Sequence, residues 1–332
     1  MAMDDQRFNP AWWLPGPQLQ TVGARLLRPR RGVQYERERL ELADGDFVDL
    51  DWVVDADGRS PDRDAPLVMV LHGLEGSSSS DYVRSTHRVL AQRGLASLAL
   101  NFRSCSGEPN RLPRFYHSGD TGDAAAVFAL LRGRFPGRRL GAVGFSLGGN
   151  VLLKLLGECG SGGRDHFVPD AAVAISVPFD LSAGITTLEQ GLGPIYQHYF
   201  LRKLRRKVRA KRTILQGHVD VGALLAVRKL RDFDQLGTSR LHGFADSADY
   251  YRRASSKPFL NAVRVPTLLI HAADDPFFPS SAIPRAEVQA NPHLDAIFPE
   301  HGGHVGFVGG PPWAPVFWAE QTAAAFLANR LL

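Results

Sequence analysis

The chain has 332 residues, of which 44% are hydrophobic and 22% charged, and a formal net charge of +5. That composition excludes a disordered or fibrous chain and suits one large domain with an insertion, long enough to bury a sizeable core. No uninterrupted apolar stretch is long enough to cross a bilayer. The two cysteines, Cys105 and Cys159, make no disulfide or zinc framework, and the polar start Met1–Arg7 lacks the blocks of a secretory leader, so a reducing cytoplasm is expected.

The opening reads as an antiparallel pair, Arg39–Ala43 and Phe47–Val54, joined through the turn Asp44-Gly45. Next comes the continuous apolar run Leu67–Leu71, the pattern of a strand buried on both faces, ending in His72-Gly73-Leu74-Glu75-Gly76. A helix over about Tyr82–Gly94 leads to a strand at Ser97–Phe102, and Ser118 or Asp120 is placed to cap a helix whose apolar face is Val127, Leu130 and Leu131. The strand ending in Gly141-Ala142-Val143 then turns through Gly144-Phe145-Ser146-Leu147-Gly148 into a helical run from Asn150. Gly160–Gly163 is expected to be a loop before the strand Ala171–Val177.

From Pro178 to Pro258 the strand and helix alternation stops, and a helical, basic, aromatic-containing segment reads as a cap inserted between strands. The sheet resumes at Thr267–His271, followed by Asp274-Asp275-Pro276, a helix from about Ser280, a last strand at Asp295–Phe298, a glycine-rich loop with His301 and His304, and a closing helix over about Pro315–Leu331. The alternation predicts an α/β fold: a mainly parallel central sheet with helices on both faces, core 1–177 and 259–332, cap 178–258. No internal repeat is present.

The chemistry centres on Ser146. Glycine on both sides of the turning residue lets strand and helix approach closely, which lifts the hydroxyl and aims the Leu147 N–H and the helix N-terminus at a developing oxyanion. A serine hydroxyl needs a base to take its proton and a carboxylate to orient that base. Asp275 and His304 follow late strands in the order serine, acid, histidine. Asp275 is preferred to its neighbour Asp274 because it opens a turn into proline, and Asp180 is an alternative acid that better suits the start of the cap. His301 competes with His304 as the base. Leu74 N–H is the expected second oxyanion donor, with His72 holding that loop or taking a catalytic part. Cys105 lacks an elbow and reads as a small loop cysteine. No metal-ligand spacing or phosphate loop occurs, so no metal or cofactor is expected.

The segment Leu201–Arg212 concentrates the positive charge, with Leu201, Leu204 and Val208 at helical spacing. It is expected either to dock on its own domain through those apolar residues or to meet anionic lipid or an acidic substrate. Nucleic-acid binding is not expected, because no aromatic residues are interleaved with the charges. Phe179, Tyr196, Tyr199 and Phe200 suggest an apolar channel in the cap.

The motifs His72–Gly76, Gly144–Asn150, Asp274–Phe277 and His301–Phe307, with Phe8–Trp13, Gln20-Thr21 and Asp44–Trp52, resemble the YheT-like branch of the α/β-hydrolase superfamily over nearly the whole chain. The resemblance implies that Ser146, Asp275 and His304 form a charge-relay triad, favouring His304 over His301, and that the activity is carboxylic ester hydrolysis on a small-molecule ester or lipid. Acyl transfer to an alcohol would use the same triad, and an inactive lipid- or partner-binding hydrolase fold is the reading from another class.

Overall fold

The computed structural model describes residues 7–29, 32–54, 64–162 and 167–332. The start Met1–Gln6 and Gly163 therefore lie outside the described residues. In chain order the elements up to the serine turn are α1 Gly16–Leu27, β1 Gln34–Glu41, β2 Phe47–Val54, β3 Leu67–Leu71, α2 Asp81–Ala91, β4 Ala96–Asn101, α3 Gly122–Arg134 and β5 Leu140–Phe145. Then follow α4 Leu147–Gly162, β6 Ala171–Ile175, β7 Thr267–Ile270 and β8 Leu294–Ile297, and the chain closes on the short pair β9 Val308–Gly309 and β10 Val316–Phe317 and on α13 Trp318–Leu331. Between β6 and β7 lie α5 Leu181–Leu188, α6 Gly193–Ala210, α7 Arg212–Leu215, α8 Val221–Ala226, α9 Leu230–Phe233, α10 Ser239–His242 and α11 Ser247–Ala254, and between β7 and β8 lies α12 Arg285–Ala290.

The eight-stranded sheet has the order β1-β2-β4-β3-β5-β6-β7-β8. β1 and β2 are antiparallel, β2 is antiparallel to β4, and every later pairing is parallel. Successive side chains of a strand point to opposite faces, and β3 uses both. Leu67, Met69 and Leu71 join a core with Val127 and Leu131 of α3 and Val151 and Leu155 of α4. Val68 and Val70 join one with Val83 and Leu90 of α2 and Ala323 and Leu327 of α13. All five β3 residues are buried, as a strand covered on both faces requires. The segment between β6 and β7 has its own core, including Leu201, Val208, Leu224 and Phe233, fastened to the rest through Phe115, Phe277 and Phe278. The order reverses at β3, whose neighbours β4 and β5 lead away to opposite sides, and in such sheets the crevice at the strand carboxyl ends is where sites form.

Several local expectations are corrected. β1 begins at Gln34 rather than Arg39, in a stretch of alternating charges without an apolar pattern. Cross-strand ion pairs hold it: Arg37 lies opposite Asp51 and Arg39 opposite Asp49, with N–O separations of 2.7 and 2.9 Å. Neither Ser118 nor Asp120 caps α3, since Ser118 Oγ accepts from Tyr250 Oη and Asp120 is held by Arg114 at 2.6 Å. The glycines expected to break the chain at 160–162 remain in α4, because Gly157 and Gly160 pack directly on the backbone of Phe259 and Ala262. β6 stops at Ile175, where Ser176 takes a left-handed φ of 52°. Ser280 opens only a single 3₁₀ turn, and Pro284 delays α12 to Arg285. The closing helix starts at Trp318 because Val316-Phe317 pair with β9.

Candidate active site

β5 delivers Ser146 into a tight turn that leads directly into α4. Its φ is 50°, its N–H donates to Ile175 O of β6 at 2.8 Å, and its carbonyl accepts the Asn150 N–H of α4 at 3.0 Å. A Cβ on Gly144 would lie 2.6 Å from Gly149 Cα, and one on Gly148 would lie 2.5 Å from the carbonyls of Leu71 and His72. Only glycine permits that approach.

His304 Nε2 lies 3.1 Å from Ser146 Oγ, and His304 Nδ1 lies 2.8 Å from Asp275 Oδ2. A carboxylate can only accept, so Nδ1 carries the proton and donates to Asp275, leaving Nε2 free to accept from the serine hydroxyl. Asp275 is buried, and its other oxygen accepts the Phe277 N–H at 2.8 Å. The loop that carries His304 is braced from several directions. Thr21 Oγ1 of α1 accepts the His304 N–H, and Ser176 Oγ accepts the Val305 N–H, both at 2.9 Å. Val305 and Phe307 both have positive φ, a strained conformation that such bracing must hold. The Phe277 ring packs 4.2 Å from the imidazole.

The neighbouring acid and base form a separate pair. Asp274 approaches the exposed His301 at 3.3 Å and accepts the Gly303 N–H at 2.9 Å, so it ties the loop together away from Ser146. Asp180 caps α5, accepting the Ala183 N–H at 3.0 Å.

Leu74 and Leu147 both line the cavity into which Ser146 opens, and Gly73 passes so close that its Cβ would lie 3.2 Å from Ser146 Cβ. His72 pins this loop: its Nδ1 is 2.8 Å from Gly73 O, and its Nε2 accepts the Phe102 N–H at 3.2 Å. Burial lowers its pKa to about 3, in keeping with a neutral, structural imidazole. Glu75, buried at φ 55°, donates its N–H to Tyr116 Oη at 2.6 Å and accepts from Lys207 Nζ at 2.7 Å. Lys203 Nζ donates to Glu75 O at 2.9 Å.

These contacts were not legible in the basic segment. Leu201 and Val208 are buried as expected, yet Lys207 and Lys211 also turn inward. Lys211 Nζ donates to Asn110 Oδ1 at 2.6 Å and to Arg114 O at 2.7 Å, and burial lowers its pKa to about 8. Lys207 also lies 2.9 Å from Cys105 Sγ, and burial pushes that thiol pKa up, which suits an inert cysteine. Removing one partner of a buried ion pair strands the other, so Lys207→Met is expected to destabilise the protein by about 3 kcal/mol and to lower kcat by loosening the Leu74 loop. Urea midpoints and initial rates check both effects; an unchanged midpoint would show that the pair contributes nothing.

The cavity, of about 120 Å³, is mainly apolar, with Leu181, Ile185, Leu188, Phe200, Leu204 and Phe233 from the inserted segment in its wall. Of the four aromatic residues expected in a channel, only Phe200 lines it. Phe179 packs in the main core, Tyr196 meets Phe277 edge-to-face, and Tyr199 lies under Arg25. Asp234 supplies a polar patch of the wall, accepting from Thr238 and Tyr251 hydroxyls at 2.7 and 2.9 Å, and burial raises its pKa to about 6. Folding also brings together His117, Asp120 and His242, which no local spacing indicated. Arg114 occupies Asp120, and burial with nearby positive charge lowers the imidazole pKa values to about 3 and about 2, so both rings stay neutral.

A parallel sheet reversing at β3, with a serine on a tight strand-to-helix turn and an acid and histidine on later loops, defines the α/β-hydrolase class. The chain belongs to the α/β hydrolase fold family, whose model matches residues 66–311, and within it to the YheT-like branch. It is 41% identical to YheT of Escherichia coli, a protein named as an esterase, over 94% of this chain and 90% of that one. It is 32% identical to the human phospholipase ABHD3, over 92% of this chain and 74% of the relative. An esterase of Pyrococcus furiosus, Pf2001, shares the fold with a TM-score of 0.57 at 16% identity, over 90% of this chain and 94% of that one.

Proposed function

We propose that this hydrolase cleaves carboxylic esters by two-step acyl transfer. His304 removes the Ser146 proton as the hydroxyl oxygen attacks the ester carbonyl, and Asp275 orients and stabilises the imidazolium. Leu74 and Leu147 N–H groups receive the oxyanion. The imidazolium protonates the departing alcohol, and a water deprotonated by His304 then releases the acid and frees Ser146. The observation that carries this reading is one imidazole bridging Ser146 at 3.1 Å and Asp275 at 2.8 Å.

The segment 178–258 acts as a cap whose apolar residues receive the acyl chain. An apolar cavity of about 150 Å³ holds a benzene-sized molecule. At about 120 Å³ the cavity here suits a short acyl group, with a small-molecule ester or the short chain of a lipid as substrate. Among the described residues no helix is long and apolar enough to cross a membrane.

The test is hydrolysis of p-nitrophenyl acetate, butyrate, octanoate and palmitate, followed by mass spectrometry after treatment with an alkyl phosphonate. Turnover is expected to peak at the short esters and to disappear as phosphonate adds to Ser146. Labelling elsewhere, or none in folded protein, would refute the assignment, and a palmitate optimum would refute the short pocket.

A further inference from the structure

We propose that the outer face formed by α1 and α6 is a docking surface for an anionic lipid bilayer. α1 is amphipathic in the unexpected sense. Its inward face carries Gln20 and Ala24, while Leu19, Val22 and Leu26, spaced three and four apart, face solvent at 49%, 44% and 69% exposure. α6 repeats the pattern. Leu192 just before it and Ile195 in its first turn are 52% and 66% exposed, and the same stripe continues through Tyr199 to the exposed Arg202, Arg206 and Arg209.

The two helices are joined. Tyr196 Oη donates to Gln18 Oε1, and the Arg25 guanidinium lies 4.8 Å from the Tyr199 ring centroid. Scattered exposed apolar residues are normal on a soluble protein, but here they gather on the outer faces of two linked helices and run into a cationic stripe. Neither helix, of 12 and 18 residues, contains an aspartate or glutamate. That charge selects the occupant. A second copy docked here would set arginines against arginines, whereas anionic headgroups complement them while the leucines enter the acyl boundary. The surface adjoins the site, since Thr21 of α1 holds the His304 N–H and Tyr196 of α6 meets edge-to-face with Phe277, which packs on His304. It stands independently of the proposed ester chemistry.

The test is co-sedimentation with phosphatidylcholine vesicles, with and without phosphatidylglycerol. Binding is expected only to the anionic vesicles and is expected to weaken with salt. Loss of three cationic groups in Arg202→Gln, Arg206→Gln, Arg209→Gln should weaken it by about a hundredfold. Leu19→Ser, Val22→Ser, Ile195→Ser should also weaken it, both triple variants keeping their rate on p-nitrophenyl butyrate. Ser146→Ala should bind vesicles like the parent, so failure of the ester reading leaves this one standing. No binding, equal binding to both vesicles, or undiminished binding by either triple variant would overturn the proposal. So would a dimer in sedimentation velocity that the Leu19→Ser, Val22→Ser, Ile195→Ser variant dissociates.

Discussion

Replacing Ser146 by alanine is expected to lower kcat by about a million-fold, the loss found when a serine–histidine unit is dismantled. In the proposed mechanism the hydroxyl oxygen forms the new bond, and Cys105 does not stand in for it, being held by Lys207 in a different loop with its thiol pKa raised. A residual rate about a thousandfold over water should survive, because the oxyanion donors and the pocket remain. KM should change little. His304→Ala should cost about as much, and the double variant no more, since the two residues act as one unit. Asp275→Asn should cost about ten-thousandfold, because the amide can no longer impose the Nδ1-protonated tautomer on His304. Parent-like melting would exclude unfolding as the cause, as alanine enters the same φ of 50° that serine already adopts. A Ser146→Ala rate within tenfold of the parent would remove Ser146 from the mechanism.

The parts of this site legible in the sequence are those written in a few adjacent residues. The elbow could be read because a close backbone approach leaves glycines at fixed offsets from the serine, and the parallel sheet because its central strands are unbroken apolar runs. Asp274 and Asp275 differ by one position, yet one braces a loop while the other meets His304. Only the turn after Asp275 hinted at which. The supports came from distant positions with no pattern of their own. Thr21 reaches His304 across 283 residues, Ser176 reaches Val305 across 129, and Lys207 reaches Glu75 across 132. A lysine inside a basic helix gives no local sign that it will be the one buried. β1 starts earlier than its sequence pattern indicates for a related reason: charge pairs with β2 hold it, and these become visible only once the register is known.

Between pH 7 and pH 5 the protein is expected to lose much of its stability, and the cause lies in buried imidazoles. His72, His87 and His271 are each no more than 1% exposed. Burial lowers their pKa values from 6.5 to about 3, about 3 and about 4. His72 Nε2 already accepts the Phe102 N–H, so a second proton there would break that bond. His87 Nε2 and His271 Nδ1 have no acceptor among the described residues. The unfolded chain binds these protons near pH 6.5 and the folded chain does not, so stability is complete above 6.5 and falls as the pH drops towards the folded values. At pH 5 the loss is roughly 2 kcal/mol per imidazole, or about 6 kcal/mol for three, against about 5–15 kcal/mol for a whole domain. Asp234 works the other way: its folded pKa of about 6 lies above the unfolded 3.8, so the folded chain takes up that proton as the pH falls to 5 and offsets about 1.4 kcal/mol of the loss. Asp46 and Asp51 have pKa values below the usual 3.8, so their stabilisation is lost only at lower pH still. The measurement is the urea midpoint at pH 7, 6 and 5. His87→Asn retains a donor for Ser97, whose Oγ lies 2.8 Å from His87 Nδ1, and removes one titrating group. Its stability should fall less steeply with acid, by about 1.4 kcal/mol per pH unit. Equal slopes in parent and variant, or a flat parent profile, would mean that these imidazoles are protonated in the folded protein and that its acid limit is set elsewhere.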